Sequence, residues 1–296
     1  MCQIPFTTLL EQLLGCDSRN KTSRENSTLP TEGIKSASNH ASSTWTKQFL
    51  NTRSANKTSP GCLSEIGVPV TKELGFHQLD IRGSPYGLLA AHPLAPLVSL
   101  HHFDYFESIF PNLTQIDSVE KLVSGYEVDP SRILQQSFCY DLNRNWSVSV
   151  SWGYTVQFYP FLVTAKKLET AVGTFQTWRS WDTGPFTFNT QPISSDMCER
   201  PVVFMLDRVE SVGGGKTLTG YKRYNMGKEE KDCPRCNYTA VAVQFFNVSA
   251  PKFNPDLWNK APRRQCCEII NGTDGADNVV HVQIRGCKRF ESVSPH

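Results

Sequence analysis

"NWSVSVSWGYTVQFY", residues 145–159, sets Trp146, Val148, Val150, Trp152, Tyr154, Val156 and Phe158 on one parity, with mainly Ser, Thr, Gly and Gln between them. Period two marks a β-strand, because successive side chains on a strand point to opposite faces. The stretch therefore predicts a strand with one buried face. It runs well past the roughly 5–6 residues of an ordinary strand, so Gly153 is expected to mark a bend or bulge.

Outward from that stretch the chain changes character. Further β-like runs follow at "RPVVFMLDRVES" (200–211), "KTLTGYKRY" (216–224), "TAVAVQFFNVS" (239–249) and "NVVHVQIRG" (278–286), separated by Gly-, Pro- and Asp-rich turns. The C-terminal half is expected to be a mainly antiparallel β assembly. Between the first strand and these runs, Leu168, Ala171, Val172, Phe175 and Trp178 fall at helical spacing and predict a helix over about 164–178. Upstream, "IDSVEKLVSGY" (116–126) predicts a short helix, with Asp117 or Ser118 as N-cap and Gly125 near its end. Residues 62–102 mix short apolar runs with Gly and Pro and read as two or three short strands joined by turns. The first 60 residues are rich in Ser, Thr, Asn and Lys, offer no periodic apolar content after Leu14, and are expected to be disordered.

Composition limits the function classes. The 296 residues carry a formal charge of +2, with basic residues scattered along the chain, so the electrostatic stripe of a nucleic-acid binder is missing. Ten cysteines suit an oxidising compartment, and eight N-x-[ST] sequons, at Asn20, Asn26, Asn56, Asn112, Asn145, Asn237, Asn247 and Asn271, suit a secretory glycoprotein. No apolar run approaches the roughly 18 residues of a transmembrane helix, and the N-terminus lacks the pattern of a signal peptide. Asn145 opens a strongly alternating strand and is expected to be a poor glycan acceptor beside Asn271, which lies in a loop-like "NGTDGAD".

The chemical motifs are few. The sequence contains no H-E-x-x-H, P-loop, G-x-G-x-x-G, G-x-S-x-G or D-x-D. "CPRC" (Cys233 to Cys236) has the spacing of half a zinc site without a second half, so structural disulfides are the better reading for Cys62, Cys139, Cys198, Cys233, Cys236, Cys266, Cys267 and Cys287. Cys266 and Cys267 are adjacent, a poor geometry for a mutual bond, and each is expected to reach a different partner. His77 and His92, alone among apolar residues, read as core or turn histidines. Trp178, Trp181 and Trp258 could stack on a sugar face, but tryptophans at such spacing more often fill a core.

Several blocks together resemble the C-terminal region of the plant fringe-related, glycosyltransferase-like proteins, relatives of the family 31 β-1,3-glycosyltransferases. They are "CLSEIGVPVTKELGFHQLDIRGSPYGLLAAHPLAPLVSLHH" (62–102), "DPSRILQQSFCYDLNRNWSVSVSWGYTVQFYP" (129–160), "TFQTWRSW" (174–181), "PFTFNTQPIS" (185–194) with "CERP" (198–201), and "FNVSA" (246–250) followed by "APRRQCCEI" (261–269). The resemblance implies an α/β remnant of a GT-A-like glycosyltransferase domain at 61–112. A mainly antiparallel, β-rich (α+β) domain would follow at 113–290, with an unmatched disordered segment at 1–60 and a tail at 291–296. It implies a protein of the Golgi lumen or membrane that transfers a sugar, with inversion, from a nucleotide-sugar donor to a hydroxyl on a glycan or glycoprotein acceptor, using Mn²⁺. The "SLH" at 99–101 matches the family's metal-ligating histidine, which singles out His101 over its neighbour His102. On a strand, adjacent residues face opposite ways, so only one of the two would point into a site. The match also departs from the family. The donor-binding half, the acidic metal motif and the carboxylates expected shortly before Cys62 are missing, where this chain has "TRSANKTSPGC" (52–62). His101 is therefore expected to be an orphaned ligand and the chain to be inactive alone. The alternative reading is a non-catalytic glycan-binding or scaffolding glycoprotein module.

Overall fold

The computed structural model describes residues 74–79, 81–177, 190–224, 240, 242–270 and 278–294. Four short elements come first: β1 (Phe76–Gln78), β2 (Ile81–Gly83), helix α1 (Tyr86–Leu89) and β3 (Ser99–His101). Helix α2 (Gln115–Val128) leads to a run of strands β4 (Gln136–Asp141), β5 (Trp146–Ser151) and β6 (Thr155–Tyr159). A single helical turn α3 (Ala165–Leu168) precedes the small strands β7 (Ala171–Val172), β8 (Phe175–Thr177) and β9 (Thr190–Gln191). The chain then forms β10 (Val202–Val212), β11 (Lys216–Arg223), β12 (Phe245–Pro251), β13 (Cys266–Ile270) and β14 (Val279–Arg285). These described residues all fall within one compact unit, Leu74–His296.

The alternating stretch is a hairpin, not one bent strand. Ser151 pairs with Thr155, Val150 with Val156 and Val148 with Phe158, and Gly153 turns the corner at φ 76°. A three-residue connection brings residues of equal parity opposite one another, so the alternation runs through the turn unbroken and imitates a long strand. Gly153 is needed twice over. Its positive φ is disfavoured for any residue with a Cβ, and a Cβ here would sit 2.5 Å from Cδ1 of Ile133 and 3.9 Å from the Cα of Gly125 on α2. Its N–H donates to the Tyr221 hydroxyl of β11 at 3.0 Å, anchoring the turn to the far wall.

Eight strands make one sheet in the order β13-β14-β12-β11-β10-β6-β5-β4, antiparallel throughout except for the β12–β14 pair. The sheet curls until its two edge strands, β4 and β13, run alongside each other. The Cys139–Cys267 disulfide crosses that seam with a Cα–Cα distance of 4.8 Å. The enclosed core takes the even-numbered aromatics of the hairpin. Phe158 packs on Trp146 at 4.9 Å and on Phe246 at 5.8 Å, and Phe246 meets Phe204 at 4.7 Å, all of them buried.

The opposite face of the hairpin is buried too, against the expectation of one buried side. Ser147, Ser149, Ser151, Thr155 and Gln157 are polar yet enclosed; Ser147, Ser151 and the neighbouring Gln136 bond to main chain laid over the sheet, Ser149 accepts from Gln136 Nε2, and Thr155 donates to the Phe204 carbonyl of β10. Ser151 Oγ donates to the Leu89 carbonyl at 3.0 Å, Ser147 Oγ accepts from the Val163 N–H at 2.8 Å, and Gln136 Nε2 donates to the Leu168 carbonyl at 2.8 Å. A buried polar face is tolerated when each group finds such a partner, and here it fastens the segments around α1 and α3 to the sheet. Leu79, Ile81 and Leu89 join the same continuous core as Val280, Val282 and Ile284.

Two helix expectations are corrected. The helix at 164–178 is only one turn: Thr164 caps it by accepting from the Lys167 N–H, and Phe175–Thr177 instead pairs antiparallel with β2. The β-branched Thr170, Val172 and Thr174 and the intervening Gly173 favour this extended path over helix. In α2 the N-cap is Thr114, whose hydroxyl accepts from the Asp117 N–H at 3.2 Å and donates to Asp117 Oδ2 at 2.7 Å. Asp117 thus stands at the third helical position, bonded by the cap, rather than as the cap itself.

Replacing Gly153 by Ala should lower unfolding stability by roughly 2 kcal/mol or more, combining a disfavoured positive φ with overpacking against Ile133. Chemical denaturation checks this, and Gly214→Ala is the control: Gly214 also has positive φ, but its Cβ would meet nothing within 4 Å.

Candidate functional site

The histidines gather where the first strands meet. Strands β1 and β3 pair in parallel, with Phe76 opposite Ser99, His77 opposite Leu100 and Gln78 opposite His101. The Val98 N–H donates to the Gly75 carbonyl at 2.9 Å and extends the ladder by one bond. His101 is thus the last residue of a short strand; its side chain lies outside what the structure describes. His102 is not on the strand. It takes a left-handed conformation, φ 71° and ψ 35°, and opens a 3-10 turn at Phe103–Tyr105. His102 is therefore not set opposite His101 by strand alternation, because the backbone turns there. Its ring lies edge-on to Tyr105 at 5.9 Å.

His92 follows α1 and sits opposite His77, with ring centroids 4.7 Å apart and planes inclined by 63°. Sequence reading treats these as two separate, bonded core histidines, whereas they face each other, and no hydrogen bond reaches either nitrogen of His92. Only 2% of His92 is exposed. Burial, reinforced by the charge of His77 and weakly opposed by the Pro93 main chain, pushes its pKa down to about 3. The ring is neutral at any ordinary pH.

Elsewhere the predicted site residues are structural. Cys266 bonds Cys287 and Cys267 bonds Cys139, so the adjacent cysteines do reach different partners. Cys198 is disulfide-bonded as well. Cys266, Cys287 and Glu291 are the one close group of potential ligands among the described residues, but the two sulfurs are bonded to each other. Hydrogen bonds from Arg285, and then from the Lys288 N–H, hold the Glu291 carboxyl well below the usual carboxylate range. This cluster cannot hold a metal. Trp258 packs on Phe253 at 4.7 Å and is nearly buried, as a core tryptophan would be.

Asn112 and Asn145 both have positive φ and lie exposed in turns. The expectation that Asn145 is too buried to be reached is therefore overturned: it sits in the β4–β5 hairpin connection, and the strand begins one residue later. Asn247 is half-buried in β12 between Gly220 and His281. Residues 1–60, Cys62, Trp178, Trp181, Cys233, Cys236, Asn237 and Asn271 lie outside the described residues.

The polar machinery that sequence reading missed is a buried clamp near the seam. Arg132, 1% exposed, contacts Asp129 at 3.2 Å, donates to the Pro251 carbonyl at 2.6 Å, and also reaches Gln265. Asp129 Oδ2 in turn accepts from the Phe253 N–H at 2.9 Å. Asp129 and Arg132 are local neighbours, but nothing in "EVDPSRI" (127–133) announces Pro251, Phe253 and Gln265, which lie more than a hundred residues downstream.

The family described as "Protein of unknown function, DUF604" matches residues 40–267, and the chain belongs to that family. No curated protein and no solved structure matches the chain significantly. No helix among the described residues is long and apolar enough to cross a membrane.

If the chain is routed through the secretory pathway, glycopeptide mapping should find Asn112 and Asn145 occupied more fully than Asn247. Occupancy confined to Asn247 would contradict this ordering.

Proposed function

We propose that this chain carries the C-terminal region of a fringe-like glycosyltransferase, whose parent class moves a sugar from a nucleotide donor to a hydroxyl acceptor with inversion. The observation that carries the reading is the family match across 40–267, within which an S-L-H sequence ends strand β3 at His101. The blocks that resemble fringe-related proteins span the same region. On this reading the curled sheet is the family's C-terminal domain, the β1–β3 ribbon is the rim of the catalytic domain, and the protein works in the Golgi lumen.

The Mn²⁺ of the parent class does not fit the described residues alone. Mn²⁺ favours carboxylate and other oxygen ligands, and no group of three His, Cys, Asp or Glu side chains among those residues closes around the ribbon. No catalytic step is therefore assigned to it. His101 would contribute one imidazole to a site whose oxygen ligands come from elsewhere, and without them neither the leaving diphosphate nor the acceptor proton is managed.

The 296-residue chain is accordingly expected to show no metal-dependent hydrolysis or transfer with common nucleotide sugars. A chimera placing residues 62–296 behind the donor-binding half of an active fringe-like enzyme should transfer sugar, and should lose that activity on His101→Ala but keep it on His102→Ala. Chelator-sensitive turnover by the chain alone, or a folded chimera indifferent to His101→Ala, would contradict the reading. Saturable glycan binding by a chimera without transfer would favour a non-catalytic glycan-binding module.

A further inference from the structure

His77 and His92 are brought together by two different elements, the middle of β1 and the turn after α1, and their rings meet at 4.7 Å. Two imidazoles bound to one divalent cation through nitrogens at about 2.0–2.1 Å place their ring centroids roughly 4.5–5.2 Å apart, for ligand angles between a right angle and a tetrahedral one. The observed spacing lies in that range. The enclosure matters as much as the distance. His92 is buried to 2% exposure, and both of its ring nitrogens lack a hydrogen-bond partner. Buried polar atoms are almost always satisfied by protein or by something bound. An imidazole that merely filled space here would give up its solvent bonds for a ring contact and a weak interaction with the Pro93 main chain.

We propose that His77 and His92 form a two-imidazole site for a borderline divalent cation of the zinc or cobalt kind. Imidazole nitrogen suits these metals, whereas Mn²⁺ and Mg²⁺ favour oxygen. His77 is half-buried, so the remaining coordination positions open on its side and take water or a small anion. The site is distinct from the strand-end position, since His77 stands opposite Leu100 while His101 stands opposite Gln78.

The test uses the full chain after dialysis against chelator, titrated with Zn²⁺ by calorimetry and with Co²⁺ by its visible absorption. One Zn²⁺ per chain is expected to bind in the micromolar range, with no comparable signal for Mn²⁺. His77→Gln and His92→Gln should each weaken binding by at least about tenfold, the loss expected for direct ligands when even supporting residues cost 10–100-fold. His281→Gln, on β14, should leave it unchanged. Thermal melts report whether each variant folds, and the half-buried His77→Gln serves alone if His92→Gln does not. Absence of saturable Zn²⁺ binding, binding unaffected in the folded His77→Gln variant, or binding lost on His101→Ala while His77 and His92 are dispensable would each overturn the proposal.

Discussion

Closure of the sheet on itself is the constraint on which the rest of the molecule depends. Strands β4 and β13 are the two edges of an eight-stranded sheet, and an open edge offers unpaired N–H and C=O groups to any passing strand. Here the edges meet across the Cys139–Cys267 bond, which joins positions 128 residues apart. In the chain-entropy picture, a cross-link over so long a loop contributes up to about 5 kcal/mol by restricting the unfolded chain. The Cys266–Cys287 bond, over 21 residues, ties the far edge to the end of β14. Around the seam, Arg264 lies over the Phe138 ring at 3.9 Å and donates to the Gln136 carbonyl at 3.0 Å, while Arg132 and Asp129 hold the end of β12. Removing one partner of such a buried pair strands the other charge, which is why this clamp is expected to be intolerant of single substitutions.

A closed sheet also explains how the histidine-bearing segment is held. The outer face of β4, β5 and β6 sets hydroxyl and amide groups beside Phe138 and Tyr159, which pack on Val163 and Leu168. Its Ser151, Ser147 and Gln136 side chains bond the main chain at Leu89, Val163 and Leu168, around α1 and α3. The bonds are directional, so they fix the position of the α1 turn and with it His92. The pairing of β2 with β8, Ile81 opposite Thr177 and Gly83 opposite Phe175, fixes it a second time. The His77–His92 pair and the end of β3 therefore rest on a scaffold that reaches across the whole unit.

Much of this was legible in the sequence, and what was hidden was hidden for physical reasons. The runs at 200–211, 216–224 and 278–286 show their period directly and fall on β10, β11 and β14. The hairpin at 146–159 reads as one strand because a three-residue turn preserves parity. Its serine face reads as a solvent face because composition cannot distinguish water from main chain as a hydrogen-bond partner. The stretch at 164–178 carries helical spacing, but pairing with β2 outweighs a weak local preference. That Cys266 and Cys267 take different partners follows from their adjacency; which partners they take is set by where the seam falls. For the site, the S-L-H motif is visible, whereas the meeting of His77 and His92 is a tertiary event with no local signature.

Peptide mapping of the unreduced protein, with fragmentation between Cys266 and Cys267, tests the closure most directly. The account predicts a Cys139 peptide linked to Cys267 and a Cys287 peptide linked to Cys266. Finding Cys139 as a free thiol, or bonded anywhere other than β13, would contradict it.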